Sequence, residues 1–399
     1  MNPDLSKLHP YPFEKLAALK EGVVPPAGLP AITLSIGEPQ HASPAFVREA
    51  FASQMGGFAQ YPYTKGSLAL RVAIIDWLTA RFKLASTLLE PESHVIPVAG
   101  TREALFAFAQ ATIDRSRKAY VLMPNPFYQI YEGAALLAGA TPWYMNTTTE
   151  NGFLPDLDAV PEHVWRDCQL IYICNPGNPT GAVMDETYLR RLLTFAERYN
   201  FVIASDECYS EIYPDEDRPP LGLLQVAAAM GNTQFKHCVV FHSLSKRSNL
   251  PGLRSGFVAG DAQILAQFLK YRTYHGCALP PPTQAASIAA WQDELHVQEN
   301  RALYRKKFAA VLDILRPHIL VHAPDASFYL WLHTPIADTQ FTQMLFAQQN
   351  VTVLPGSFLS RDVHGSNPGA NYVRIALVAP VAECIEAAQR ITHFLQHRI

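Results

Sequence analysis

Through the middle of the chain, short apolar runs alternate with longer stretches of amphipathic spacing. The runs His94–Ala99, Ala119–Met123, Gln169–Cys174, Phe201–Ser205 and Cys238–Phe241 are strand-length. Between them, segments such as Asp185–Tyr199 repeat apolar residues at helical spacing, and two helices are expected earlier, from Ser43 as N-cap to Met55 and from Ser67 to Phe82. Strands that alternate with helices predict an α/β fold with a mainly parallel sheet covered by helices. The C-terminal pattern differs: a long helical stretch at Gln284–Leu315, strands at Phe328–Leu332, Val351–Leu354 and Tyr372–Leu377, and a closing helix at Val381–His397. This predicts a separate α+β unit. The proline-rich stretches Val23–Pro30 and Leu279–Pro282 mark boundaries. The expected organisation is an N-terminal arm over 1–41 that joins the small domain, a large α/β domain over 42–280 and a small domain over 281–399.

In open α/β sheets ligands gather beyond the carboxyl ends of the strands. The residues just after each expected strand therefore carry the candidate chemistry. Gly100-Thr101-Arg102 opens a helix, either as an anion seat or as an ordinary helix start. Pro124-Asn125-Pro126-Phe127-Tyr128-Gln129-Ile130-Tyr131 presents aromatics that stack on a planar ring or, as Phe127 and Tyr131 read singly, pack into the core. Asn175-Pro176-Gly177-Asn178-Pro179-Thr180-Gly181 fixes a loop and leaves asparagine amides aimed outward. Asp206 ends an apolar strand, where a carboxylate is costly without an Arg, a Lys or a bound cation beside it, and Tyr209 follows at a spacing that brings its hydroxyl to the same side. Ser243-Leu244-Ser245-Lys246, with Arg254 further on, offers an amine and a guanidinium for one cleft, or solvated surface charges.

Composition narrows the class. The 399 residues carry 32 Lys+Arg against 35 Asp+Glu, a formal charge of −3. With 49% hydrophobic and 17% charged residues, a large core is expected and general disorder is excluded. The mildly acidic balance argues against nucleic-acid binding. No apolar run approaches the ~20 residues that span a bilayer, and no basic start followed by an apolar stretch suggests a signal peptide. Six scattered cysteines without zinc-type spacing are expected as reduced thiols in the cytoplasm. The histidines show no metal-ligand spacing, and the nucleotide, P-loop, nucleophile-elbow and zinc-protease motifs are absent, so no metal is expected.

Taken in order, the stretches Ile36-Gly37-Glu38-Pro39, Tyr61 with Gly66 and Leu70-Arg71, Gly100-Thr101-Arg102, Asn178-Pro179-Thr180-Gly181, Asp206-Glu207-Cys208-Tyr209, Ser243-Leu244-Ser245-Lys246 with Arg254, and Tyr372-Val373-Arg374-Ile375 resemble the pyridoxal-phosphate (PLP) aminotransferases of fold type I, class I/II. The resemblance spans about residues 36 to 378. It implies a seven-stranded, mainly parallel sheet in the large domain and a homodimer with active sites at the subunit interface. It implies that Lys246 holds the cofactor aldehyde, that Asp206 pairs with the pyridine nitrogen, and that Asn178 and Tyr209 bond the ring hydroxyl. Tyr128 would stack on the ring. Gly100, the backbone amides of Thr101 and Arg102, and Ser243, Ser245 and Arg254 would hold the phosphate, with Tyr61 reaching the phosphate of the neighbouring subunit. Arg374 would clamp the substrate carboxylate, helped by Gly37 and Asn178.

The implied chemistry suits these residue types. A carboxylate beside a pyridine nitrogen keeps it protonated, so the ring accepts the electrons released when an amino acid loses its α-proton. A lysine amine first holds the aldehyde and then moves the proton as general base and acid. Small amino and keto acids are the expected partners, with glutamate and 2-oxoglutarate as one pair by family habit. The stretches Tyr11-Pro12-Phe13-Glu14-Lys15-Leu16, Ile36–His41 and Ser243–Gly252 are further similar to bacterial N-succinyldiaminopimelate aminotransferases of the diaminopimelate and lysine route. Arg102 would then meet a distal carboxylate, unless it only faces solvent, with Arg272 and His275 as possible helpers. An aspartate or alanine aminotransferase and a PLP-dependent carbon–sulfur β-lyase are the alternatives.

Overall fold

The computed structural model describes residues 1–363 and 365–398. Its centre is a seven-stranded sheet in the order Val95–Val98, Gly256–Gly260, Cys238–Ser243, Val202–Asp206, Cys168–Cys174, Tyr120–Asn125, Thr141–Asn146. The last five strands run parallel, and Gly256–Gly260 is antiparallel to both neighbours. Every residue of Cys168–Cys174 is buried, as a strand covered on both faces requires. Two core clusters cover the faces, one built around Trp77, Phe82 and Trp165, the other around Phe108, Tyr131 and Phe268.

The five expected strands are present, and two more complete the sheet. Gly256–Gly260 begins and ends in glycine, which ordinarily disfavours a strand. Here the glycines are needed, because a Cβ on Gly256 would lie 2.4 Å from His242 O and one on Gly260 2.0 Å from Cys238 O. Thr141–Asn146 contains Pro142, which a central strand would not accept, and it lies at the sheet edge, where a missing N–H is tolerated.

Local capping rules hold for several helices. Ser67 caps Leu68–Phe82 by accepting the Leu70 N–H at 3.3 Å, and Asp185 caps Glu186–Tyr199 by accepting that of Tyr188 at 2.7 Å. The expected cap at Ser43 is replaced by Pro44. The Ser43 hydroxyl instead donates to Asn249 O at 3.3 Å, and the helix runs only over Ala45–Ser53. The expected helix Gln284–Leu315 is two, Pro281–Gln292 and Leu295–Leu315. The break is tertiary in origin. Buried Arg247 donates to Ala290 O at 2.7 Å and Asp293 O at 3.3 Å, drawing carbonyls away from the helical ladder, while Asp293 accepts the His296 N–H and starts the next helix. Pro281–Gln292 packs in the large core through Ala286, Ala290 and Trp291.

A second core gathers Val311, Leu330, Phe341, Val373 and Ile391. It sits around an antiparallel sheet in the order Leu354–Pro355, Tyr372–Ala376, Tyr329–His333. The expected strand Val351–Leu354 is divided. Val351–Thr352 pairs in parallel with Ile32–Thr33 of the N-terminal arm, and Leu354–Pro355 joins the three-stranded sheet. Among the described residues no helix is long and apolar enough to cross a membrane, and all six cysteines are free thiols.

Candidate active site

A cavity of about 500 Å³ opens between the carboxyl ends of the parallel strands, the N-terminal arm and the small antiparallel sheet. Its lining brings together Gly37, Thr101, Arg102, Tyr128, Asn178, Asp206, Tyr209, Ser243, Ser245, Lys246, Arg254 and Arg374. These come from positions as far apart as 37 and 374, yet those carried by the seven-stranded sheet follow or end a strand as the chain order suggested, except Arg254, which follows the turn Pro251–Leu253.

Asp206 ends its strand buried, 4% exposed, at the cavity wall. Burial pushes its carboxyl above the usual range, and hydrogen bonds from the Tyr131 hydroxyl at 2.7 Å and the Cys208 N–H at 3.3 Å hold it partly in check. Tyr131 is itself buried and stacked on Tyr172 with ring centroids 4.7 Å apart. In the sequence Tyr131 reads as a core aromatic, and its bond to Asp206 is decided by the packing of the helix Ile130–Leu137 against the strand Val202–Asp206.

Lys246 lies in the short helix Leu244–Arg247, which Ser243 caps by accepting the Ser245 N–H at 3.1 Å. Its ammonium donates to Gly37 O and sits 5.4 Å from the centre of the Phe328 ring. Burial lowers the Lys246 pKa to about 8. Gly37 is required where it is, because a Cβ there would lie 2.1 Å from the Tyr329 hydroxyl oxygen.

Arg374 closes the opposite wall. It donates to Asn178 Oδ1 at 3.0 Å and Ser35 O at 2.8 Å, with its guanidinium carbon 4.5 Å from the Tyr329 ring centre. Its Nε has no partner among the described residues and is buried. Tyr209 and Tyr329 share a hydroxyl contact at 3.0 Å. Ser35 and Tyr329 were not foreseen. Each reaches the site through the small sheet or the arm, which no local pattern ties to Asn178.

The remaining corner suits an anion. The helix Thr101–Thr112 starts after Gly100, whose φ of 84° only glycine adopts readily and which offers no side chain to cap the first-turn N–H groups. Arg254 stands over that turn and donates to Ala99 O at 3.3 Å; a Cβ on Gly100 would lie 2.3 Å from its Nη2. Ser243 and Ser245 hydroxyls bond each other at 3.0 Å beside it. Arg102 sits at the mouth, exposed yet fixed, with Nε donating to the Tyr128 hydroxyl at 2.8 Å and Nη2 3.5 Å from that of Tyr11. Tyr61 is fully exposed and lines no part of its own chain's cavity. Arg272 and His275 do not line it either. Arg272 is buried and bound to Glu103.

An α/β sheet of this order, with a buried acid, a desolvated lysine, a helix-start anion seat and a clamped arginine in one cavity, defines a PLP-dependent transferase of fold type I. The family model of the class I and II aminotransferases matches residues 30–391, and the chain belongs to that family. It is 33% identical over 393 residues to an LL-diaminopimelate aminotransferase of Nitratidesulfovibrio vulgaris Hildenborough, covering 97% of each chain. The crystal structure of an aminotransferase from Neisseria meningitidis Z2491 superposes with a TM-score of 0.95 at 46% identity, covering 99% of this chain and 100% of the other. A probable N-succinyldiaminopimelate aminotransferase from Thermus thermophilus superposes with a TM-score of 0.83 at 26% identity, covering 96% of this chain and 99% of the other. The protein is a PLP-dependent aminotransferase.

Proposed function

We propose that this cavity transfers an amino group between glutamate or 2-oxoglutarate and a substrate of the diaminopimelate class, and that the N-succinyl form is the one taken. The single observation that carries the transfer chemistry is that Lys246, Asp206 and the Arg374–Asn178 pair face one cavity. The residues fit the cofactor. Asp206 is a buried carboxylate whose pKa burial raises, and a protonated pyridine nitrogen would relieve that cost. The Gly100 turn and Arg254 form a cradle for a phosphate. Tyr128 would flank the ring, Asn178 and Tyr209 its hydroxyl, and Ser243 and Ser245 the phosphate.

Bound there, the cofactor supplies an electron sink for the substrate's Cα. The chain supplies the rest. Lys246, whose pKa burial lowers, takes or returns the proton at Cα. Arg374 holds the α-carboxylate through its planar fork, with Asn178 orienting the guanidinium. Asp206 holds the proton on the ring nitrogen, and Tyr131 fixes the carboxylate in place.

Arg102 supports a substrate with a distal carboxylate, since its guanidinium is held at the mouth by two tyrosine hydroxyls yet remains exposed. The name of the Thermus relative supports the N-succinyl form. A second reading is unsubstituted LL-diaminopimelate. It is favoured by the Nitratidesulfovibrio relative and by Glu38 in the lining, an acid suited to a distal ammonium. The exposed cluster Met55, Phe58, Tyr61, Tyr63 and Leu68 supports a dimer in which Tyr61 reaches the partner's phosphate site. A donor panel tests the assignment. Glutamate formed from 2-oxoglutarate with N-succinyl-LL-diaminopimelate and not with LL-diaminopimelate upholds the first reading, and the reverse upholds the second. Pyruvate and ammonia from cystathionine would instead indicate a β-lyase.

A further inference from the structure

The sequence offers Arg272 as a contact to substrate, but the structure puts it behind the phosphate corner. Its side chain is wholly buried, and its Nη1 donates to both Glu103 carboxylate oxygens, at 2.9 and 2.8 Å. Glu103 Oε1 also accepts the Ala99 N–H at 2.9 Å, and Ala99 O accepts Arg254 Nη2 at 3.3 Å. Arg272 Nη2 is tied to Cys277 O at 3.2 Å, so the guanidinium is fixed from both sides. Hydrogen bonds to the N–H and to the carbonyl of Ala99 therefore tie Arg272 and Glu103 on one side and Arg254 on the other to the backbone at the Gly100 turn.

Glu103 stands in the first turn of the helix Thr101–Thr112. A carboxylate there is favourable to the helix dipole but repels an anion seated at the same terminus. With Arg272 bound to both of its oxygens, the carboxylate keeps its hydrogen bond to Ala99 while its charge is offset. Glu103 also lies with His275 and Cys277 close enough to suggest a metal, but Arg272 already engages both carboxylate oxygens.

We propose that Arg272 and Glu103 form a positioning pair that shapes the phosphate seat and cancels the carboxylate charge beside it. Neither residue belongs to the cavity's lining. The inference rests on the cofactor reading above. It is tested by titrating the apoenzyme with PLP and, separately, with pyridoxal, which lacks the phosphate, following the cofactor absorbance to obtain Kd. Arg272→Gln is expected to raise the Kd for PLP by about tenfold or more, the scale of a lost charged hydrogen bond, and to leave that for pyridoxal within about twofold. The double change Arg272→Gln with Glu103→Gln is expected to regain much of the PLP affinity, because the uncompensated charge is gone.

Equal weakening of both cofactors, no weakening of either, or a double variant no better than the single one would overturn the pair's role. If Arg272→Gln fails to fold, Arg272→Met removes the charge on an apolar chain of similar length, and the same ratio of PLP to pyridoxal decides. A wild-type apoenzyme that binds pyridoxal as tightly as PLP would strike at the phosphate seat itself. One that binds neither would overturn the cofactor reading together with this inference.

Discussion

The Tyr131 hydroxyl donates to Asp206 Oδ2 at 2.7 Å behind the cavity, which Asp206 lines. Both residues are buried, and the carboxyl is pushed up in pKa by desolvation. The tyrosine therefore stabilises the charged form of an acid that burial disfavours. Tyr131→Phe is expected to raise the Asp206 pKa further, to lower turnover about tenfold, and to cost about 1–3 kcal/mol of stability as a buried hydrogen bond is lost. The pH profile of the cofactor absorbance and a urea melt measure the two effects separately.

Lys246→Ala is expected to abolish the absorbance change on adding an amino donor and to cut turnover by about 10³-fold or more, because both the anchoring amine and the proton carrier are removed. Retention of full activity in that variant would refute the catalytic assignment.

The lowered pKa of Lys246 predicts a pH dependence in the apoenzyme. Its folded-state value of about 8 lies below the ordinary lysine value of 10.5. Only the neutral amine attacks an aldehyde, so the rate of pyridoxal capture should rise with pH through a midpoint near 8 and level off above it. The same depression means that the folded state releases this proton before the unfolded chain does. Stability from this group is therefore gained as pH rises between about 8 and 10.5 and is absent below that window. Stopped-flow absorbance checks the first effect and chemical denaturation of the apoenzyme the second.

Arg374→Lys retains a positive charge but loses the planar fork that meets Asn178 and Ser35. The KM for amino acids is expected to rise about 10- to 100-fold with the bound cofactor's absorbance unchanged, the range expected for losing one charged, two-pronged contact.

The proposed dimer is tested at Tyr61. A mixture of Tyr61→Ala and Lys246→Ala subunits, unfolded and refolded together, would form hybrid dimers in which both defects fall on one site. If each parent variant is inactive, about a quarter of wild-type activity is expected from the statistics of a twofold dimer. No recovery would place Tyr61 outside the partner's site.

Much of the seven-stranded sheet was legible. Apolar runs such as Gln169–Cys174 need burial on both faces, and that requirement shows in composition alone. Strand-end residues such as Asp206, Ser243 and Asn178 could be located because a strand's carboxyl end is a local feature. The strand Gly256–Gly260 was illegible because its glycines answer to the backbone of the neighbouring strand, not to any periodicity of their own. The break at Asp293 was hidden for a similar reason, since Arg247, far away in sequence, draws the carbonyls out of the ladder.

By itself the sequence determined the alternation of strand and helix, the chemistry waiting at each strand end and the order in which those groups occur, since short-range periodicity and turn residues encode all three. Only the tertiary structure decided which distant groups meet. It set Arg374 on Asn178 and Lys246 on Gly37, put Tyr131 under Asp206, and turned Arg272 away from the cavity onto Glu103. Such pairings depend on how two cores and an N-terminal arm pack together, and contacts between residues hundreds of positions apart leave no trace in local spacing.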